Sequence, residues 1–282
     1  GGMLMLFVAD WLEKAGHINY WQLTFLMLCG LICLANIGLL LIPEASASGR
    51  IAAQQKAAAG LAARFGSSHM AIVGGFLANT VWGPLGSFFR KNGISVALAL
   101  LGFIFLFKVG EAFMGKMSLI FYKEIGFSKS DIALYSKGLG WITTVAFTIL
   151  GGFLAIRSGT FKALLFAGIA MAATNIMFSI LAWTGKSEWV FALAVLLDDI
   201  AAAFATVAFV TFISLLVDRT YTATQYALLA SIGTMGRTTL ASSSGTLVDW
   251  LHGDWGVFFI LTALMVIPSL ILLWFIRTRI PN

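Results

Sequence analysis

The sequence predicts an all-α integral membrane protein, and three observations carry that reading. The chain is 60% hydrophobic and 11% charged over 282 residues, with a mean hydropathy of +0.94. Soluble domains run near 45–50% apolar and about 25% charged, so a water-soluble globule of this length has too little interior for the apolar surface present. The apolar residues also gather into seven runs of the length a helix needs to cross the hydrocarbon core, about 20 residues. Finally, the basic residues concentrate in alternate connecting segments, the asymmetry that orients membrane proteins. Together these exclude a soluble enzyme, a nucleic-acid module and a disordered chain. The net charge of +6 is topology information, with no nucleic-acid partner implied.

Gly1–Leu12 is apolar but too short to span, and it lacks the basic, apolar and cleavage-site order of a signal peptide. It reads as the tail of a helix. Trp21–Pro43 is the first complete span. Cys29 and Cys33 both lie inside it, as small fillers that imply no disulfide framework. Residues 44–93 read as a cytoplasmic linker. Glu44–Phe65 is Ala-rich and punctuated by Arg50, Gln54, Gln55, Lys56 and Arg64. His69–Asn92 is more apolar but is broken by Gly74, Gly75, Gly83, Pro84 and Gly86. An interfacial amphipathic segment is expected around Trp82, Phe88 and Phe89, followed by Arg90 and Lys91. A further span at His69–Phe89 is the competing reading, but it would set Arg50, Lys56 and Arg64 on the opposite face from Arg90 and Lys91.

Six spans follow, at Ile94–Tyr122, Ile132–Ile156, Ala163–Trp183, Val190–Val217, Gln225–Leu251 and Val257–Ile276. With the linker inside, the cytoplasmic segments hold Arg50, Lys56, Arg64, Arg90, Lys91, Arg157, Lys162, Arg219, Arg277 and Arg279. The opposite side holds Lys14, Lys123, Lys129 and Lys186. That bias places linker and C-terminus in the cytoplasm.

Four basic residues, Lys108, Lys116, Lys137 and Arg237, remain inside spans, with Glu111, Asp198, Asp199 and Asp249 as the acids. A charge at mid-bilayer costs roughly 2.5–3.5 kcal/mol on insertion scales, so such groups face a wet cavity or one another. Trp21–Pro43, Ala163–Trp183 and Val257–Ile276 carry none of them. Counted as the second half of a twelve-helix carrier, the chargeless helices are the sixth, ninth and twelfth, which act as lipid-facing supports in two-half carriers.

Lys108 and Glu111 are three apart and share a helix face, either as a structural ion pair or as a cavity-lining pair. Asp198 and Asp199 are adjacent in an apolar run. Two ionised carboxylates there repel, so one is protonated or a cation such as Arg237 or Lys137 neutralises it. Either serves a proton-coupled carrier, and the alternative is an Asp that satisfies a neighbouring helix. Arg237 sits among small residues in Gly233-Thr234-Met235-Gly236, and its planar fork suits a substrate anion or a bridge to Asp198 or Asp199 equally. Lys116 and Asp249 lie close enough to span ends to snorkel. Ser and Thr in spans mostly join helices, but the cluster from Ser231 to Ser244 suggests a wet face on the eleventh helix. Gly30, Gly38, Gly102, Gly110, Gly151 and Gly152 read as close-packing points.

No span contains a histidine, so a His-ligated metal is not expected. Asp198-Asp199 runs on into Ile200-Ala201-Ala202, which removes the Asp-rich magnesium motif of prenyl transfer. There is no Walker loop and no Gly-x-Ser-x-Gly. Neither an enzyme nor a cofactor is expected.

Gly151-Gly152-Phe153-Leu154-Ala155-Ile156-Arg157-Ser158-Gly159-Thr160-Phe161-Lys162 resembles the loop signature of the major facilitator superfamily between its eighth and ninth helices, with Ile156 where the pattern has an acid. Phe107–Phe113, Ser136–Gly140, and Thr222–Ser231 leading to Gly236-Arg237 resemble the AmpG-type muropeptide permeases of that superfamily; the acetyl-CoA transporters share the general pattern. The resemblance covers about the whole chain and matches the second half of that family and the end of the first. It implies residues 1–43 as the remnant of an N-terminal bundle, 44–93 as the central linker and 94–282 as the C-terminal six-helix bundle. It also implies proton-linked import of anhydromuropeptides across the bacterial inner membrane for peptidoglycan recycling, with the rest of the N-terminal bundle as missing partner and the chain inactive alone. Carried over by motif, the site residues are Lys108, Glu111, Lys137, Gln225 and Arg237; Asp198 and Asp199 rest on the physical argument. An acetyl-CoA-type or other facilitator, a non-transporting membrane remnant and a membrane-embedded transferase are the other readings.

Overall fold

The computed structural model describes residues 8–9, 11–16, 18–40, 83–132, 140–218 and 221–279. Among them the protein is helical with short connections and no strand, an all-α membrane protein that divides into two compact units, residues 1–53 and 54–282.

The first unit contains α1 (Tyr20–Leu40), of which Tyr20–Gly38 is long and apolar enough to span. Phe25, Leu26, Leu31 and Leu34 on it are exposed. Two of its polar side chains bond to their own backbone: Thr24 Oγ1 donates to the Tyr20 carbonyl and Asn36 Nδ2 to that of Ile32, both at 2.8 Å. Cys29 and Cys33 are free. Gly30 and Gly38, expected at close contacts, have nothing within 4 Å of where a Cβ would stand.

The described part of the second unit begins with α2 (Gly83–Asn92) and continues through α3 (Ile94–Leu106), α4 (Val109–Glu124), α5 (Lys129–Ile132), α6 (Gly140–Ser158), α7 (Thr160–Thr184), α8 (Glu188–Leu216), α9 (Thr222–Ala241), α10 (Ser244–Trp250), α11 (Trp255–Leu264) and α12 (Ile267–Ile276). Four stretches here are long and apolar enough to span: Ile94–Glu124, Thr160–Thr184, Glu188–Leu216 and Trp255–Ile276. The span expected at Ile132–Ile156 is helical from Gly140, with a shorter apolar helix over Thr143–Ser158. The one expected at Gln225–Leu251 is two helices, interrupted at Ser242–Ser243, and its Ser, Thr and Arg content keeps it below the hydropathy of the others. Such a helix crosses a bilayer only with its polar face turned from lipid.

Three spans are broken. α3 closes with the Phe107 N–H donating to the Phe103 carbonyl, and α4 restarts with Ala112 N–H donating to Lys108. α11 and α12 are separated at Met265–Val266, just before Pro268, which has no N–H and crowds the preceding turn. The third break is at Ser242–Ser243. α7 and α8 are continuous over 25 and 29 residues. The turn between α6 and α7 is a single residue, Gly159, at φ +81°, which is why the loop signature needs glycine there.

α8 packs between α6 and α7, α7 between α8 and α11, and α3 between α9 and α12. Two apolar clusters result. One gathers Phe103, Phe107, Leu164, Phe212 and Leu273 with Phe88 of α2; the other gathers Phe113, Phe121, Tyr122, Phe178, Phe191 and Phe259. Phe88, expected at a membrane surface, is therefore a core residue, and the exposed part of α2 is its basic end, Arg90 and Lys91. Trp82 and the rest of the linker, with most of the alternative His69–Phe89 span, lie outside the described residues. Glycines let the broken spans meet: a Cβ on Gly236 would run into the Phe105 carbonyl, one on Gly151 would lie 2.9 Å from the Phe204 ring, and one on Gly102 would lie 3.2 Å from Leu272. Gly152 is looser, 3.7 Å from Val207.

α2 is held by Gln225. Its Nε2 donates to the Pro84 carbonyl at 2.8 Å and to Ser87 Oγ at 2.7 Å, and its Oε1 accepts from Asp218 N–H at 2.6 Å. At the other end of the unit, Ser128 and Asp131 cap α5 reciprocally: Ser128 N–H donates to Asp131 Oδ2 at 3.0 Å, and Asp131 N–H to Ser128 Oγ at 3.1 Å. Hydrogen bonds from the Ser128 side chain and backbone hold the Asp131 carboxyl below the ordinary carboxylate range.

Gly236→Val forces α9 off α3 and lowers the melting temperature of the detergent-solubilised protein sharply. Gly115→Ala, with open space around it, is neutral or stabilising by up to ~1 kcal/mol. Gln225→Leu takes the acceptor from Asp218 N–H, while the Pro84 carbonyl keeps its bond from Ser87 Oγ, and costs about 1–3 kcal/mol, read as an earlier unfolding transition. A carboxyl held low contributes stability above its unfolded pKa and loses that contribution as pH falls through its folded value. Hydrogen exchange at the start of α5 accelerates accordingly at acidic pH, and Asp131→Asn flattens that pH dependence.

Candidate functional site

Between the two apolar clusters lies a layer of polar side chains contributed by α4, α7 and α8. The break after Phe107 ends the aromatic run of α3 and puts Lys108 at the N-cap position of α4, where its backbone leaves the helical region at φ −104°, ψ 12°. The break coincides with a charge that needs partners and with Gly110, a poor helix former, two residues on. Lys108 Nζ lies 3.2 and 3.0 Å from the two carboxylate oxygens of Glu111 and donates to Thr206 Oγ1 on α8 at 2.8 Å. Thr206 can accept because its own hydrogen goes to the Ala202 carbonyl at 2.7 Å. The side chains of Lys108 and Glu111 are 12% and 16% exposed, shielded but not sealed. Among the described residues this is the one ion pair whose partners both lie in spans.

Two turns before Thr206 on α8, Asp198 Oδ1 faces Thr174 Oγ1 of α7 at 3.1 Å. The Thr174 hydroxyl is also 3.0 Å from the Met171 carbonyl, so a single proton serves two acceptors. Asp198 lies within electrostatic reach of Glu111, Lys108 and Asp199, and the buried Tyr122 within reach of both aspartates. Lys108, Glu111, Asp198 and Asp199 thus share one neighbourhood, with three carboxyl groups to one ammonium among the described residues.

Arg237 is exposed on α9. At about 100° per residue Thr234, one turn before it, shares its face, and Thr238 lies on the adjoining one. Gly233, one turn before Arg237, is pressed against Phe209 of α8, and Gly236 onto the Phe105 carbonyl of α3. Thr234 and Thr238 donate to the Ala230 and Thr234 carbonyls, leaving hydroxyl lone pairs outward. Among the described residues Arg237 makes no hydrogen bond or ion pair, so the bridge to Asp198 considered from sequence is not formed. Lys137 lies outside the described residues. Gln225 is elsewhere: twelve residues before Arg237, about 18 Å along the helix axis, fully occupied in holding α2. Lys116 is exposed near the end of its span, and Asp249 is exposed on α10.

Sequence reasoning missed Thr174 and Tyr122 and left Thr206 among generic polar residues. Thr174 had no signal: it meets Asp198 across the contact between two helices, 24 residues away, on a helix chosen as a support because it lacks charge. That helix does present Phe166, Ile169, Ile176 and Trp183 outward, while its other face supplies Thr174, Asn175 and Ser179 to the interior. Among the described residues no group of three or more potential ligands is placed to hold a metal.

No family model matches the chain. Among curated proteins it is similar to the putative transporter AmpG 4 of Rickettsia conorii, 33% identical over 202 residues, covering 72% of this chain and 48% of that protein. It is 29% identical over 262 residues to the Rickettsia felis protein of the same name, covering 93% of this chain and 58% of the relative. The anhydromuropeptide permease of Escherichia coli K12 is 32% identical over 198 residues, 70% of this chain and 39% of that protein. The chain spans about half the length of the curated relatives it matches. The likeness runs through the helices that build the polar layer and agrees with the multi-pass, all-helical architecture: the chain belongs to the family of AmpG-type permeases.

Proposed function

We propose that the protein forms the C-terminal part of a proton-coupled importer of anhydromuropeptides, sugar–peptide fragments that return to the cytoplasm for peptidoglycan recycling. The single observation that carries the reading is the Lys108–Glu111–Thr206 contact at a broken span, with Asp198 close by. An ion pair at membrane depth is expensive, and discontinuous helices carrying charge at mid-span are how secondary carriers build a substrate or coupling-ion site. The names of the relatives support the substrate class: one is an anhydromuropeptide permease.

In this proposal Glu111, Asp198 and Asp199 exchange a proton against the fixed Lys108 charge. Lys137 extends that path. Arg237, offering a planar donor fork on a hydroxyl-lined face, takes a peptide carboxylate of the substrate. Gln225 contributes by fixing the attachment of α2. Residues 94–282 act as one of two rocking bundles, residues 1–43 belong to the other, and 44–93 join them, so that residues 1–282 alone do not transport. The protein resides in the bacterial inner membrane with its C-terminus in the cytoplasm. That orientation rests on the exposed Arg90, Lys91, Arg157, Lys162 and Arg277 at helix ends around one apolar cluster, with Lys123 and Lys186 at the other ends.

The test is uptake of radiolabelled N-acetylglucosaminyl-anhydro-N-acetylmuramyl tripeptide by cells expressing the gene in its full reading frame. Uptake collapses with a protonophore. Glu111→Gln and Arg237→Ala each lower it about 10- to 100-fold, the scale of losing a hydrogen bond to a charged group. Unchanged uptake in both variants sinks the site assignment, and uptake by residues 1–282 alone sinks the two-bundle requirement.

A further inference from the structure

Two side-chain atoms on α7 are buried without a hydrogen-bond partner among the described residues and without a charge to answer them: Asn175 Nδ2 and Ser179 Oγ. The residues are 1% and 0% exposed and stand one turn apart on one face. Buried polar groups are almost always paired, with ordered water as the usual partner where protein supplies none.

That face meets the place where two broken spans touch. Gly110, in the first turn of α4, lies against the last turn of α11. A Cβ built on it would lie 2.5 Å from the Thr262 carbonyl oxygen and 3.5 Å from Asn175 Nδ2. The two polar atoms are measured from the same point and are therefore no more than 6.0 Å apart. In a continuous helix the Thr262 carbonyl would accept the Val266 N–H. Here Val266 N–H donates to Ala263 at 3.2 Å instead, because the chain tightens where Pro268 starts the next helix. A released acceptor and an unused donor thus face each other beside Gly110. Exchanging the amide's oxygen and nitrogen would set two acceptors together, so the donor orientation is the chemically consistent one.

We propose that this junction binds a buried water molecule, which accepts from Asn175 Nδ2 and donates to the Thr262 carbonyl, with Ser179 Oγ as its third polar neighbour. Two hydrogen bonds meeting at the tetrahedral angle of a water bridge about 4.2–5.1 Å, within the separation limit. The site belongs to the fold and is independent of the transported substrate. The water hydrates the carbonyl exposed by one break at the point where the other break begins, so α4 and α11 share a solvated joint.

A crystal structure of the purified protein at a resolution that shows ordered water tests this directly. Density within hydrogen-bond distance of both Asn175 Nδ2 and Thr262 O is expected. An empty junction, or the amide bonded directly to the carbonyl, overturns the proposal. Thermal unfolding gives a second reading. Asn175→Leu, of similar volume, removes the donor and lowers the melting temperature, whereas Met171→Leu on the same helix shifts it little. An equal or higher melting temperature for Asn175→Leu overturns the proposal as well.

Discussion

The architecture of the second unit follows from one constraint: polar groups at mid-bilayer depth must satisfy one another because lipid offers them nothing. An aromatic cluster lies to each side of the layer in which Lys108, Glu111, Asp198, Thr174 and Thr206 are gathered. Lys108 meets Glu111 and Thr206 there through contacts of hydrogen-bond length, as Thr174 meets Asp198 close by, and the long span Ile94–Glu124 gives up its continuity at that level, where Lys108 reaches α8. The breaks in the first and last helices of the bundle fall at corresponding depth, and Gly110 and Gly236 are the small residues that allow backbone to approach backbone there.

Much of this was legible in the sequence. Apolar runs and the placement of basic residues give the class of protein and the approximate spans, because hydrocarbon thickness and leaflet charge act directly on residue type. The spacing of Lys108 and Glu111 gives their pairing. Gly102, Gly110 and Gly151 were readable as close-packing points, whereas Gly30 and Gly38 carried the same signal with no such contact in the first unit. The distinction depends on which neighbour lies opposite, and no single helix encodes that.

Other features are tertiary and left little local trace. The break at Phe107-Lys108 has only Gly110, two residues on, as a local trace, and the partners of Lys108 come from elsewhere in the chain. Thr174 belongs with Asp198 only after α7 and α8 fold against each other. Phe88 looks interfacial in an isolated amphipathic stretch and becomes core once α3 and α9 cover it. Gln225 sits in a family-like motif and so resembles a site residue, yet all three of its bonds go to the ends of neighbouring elements. A motif records that a position matters and is silent on whether it matters for contact with cargo or for attachment.

The attachment made by Gln225 has a mechanical consequence. α2 is short and is anchored at one end by the turn into α3 and at the other by Pro84 and Ser87, so it behaves as a strut tied to the head of α9. If α9 leans, the strut is pulled with it, and the chain entering at Gly83 is displaced by the same stroke. A tug on that incoming segment is likewise felt by α9, the helix that carries Arg237. The carboxamide of one glutamine thus works as a tie-rod between the connector and the helix with the exposed guanidinium.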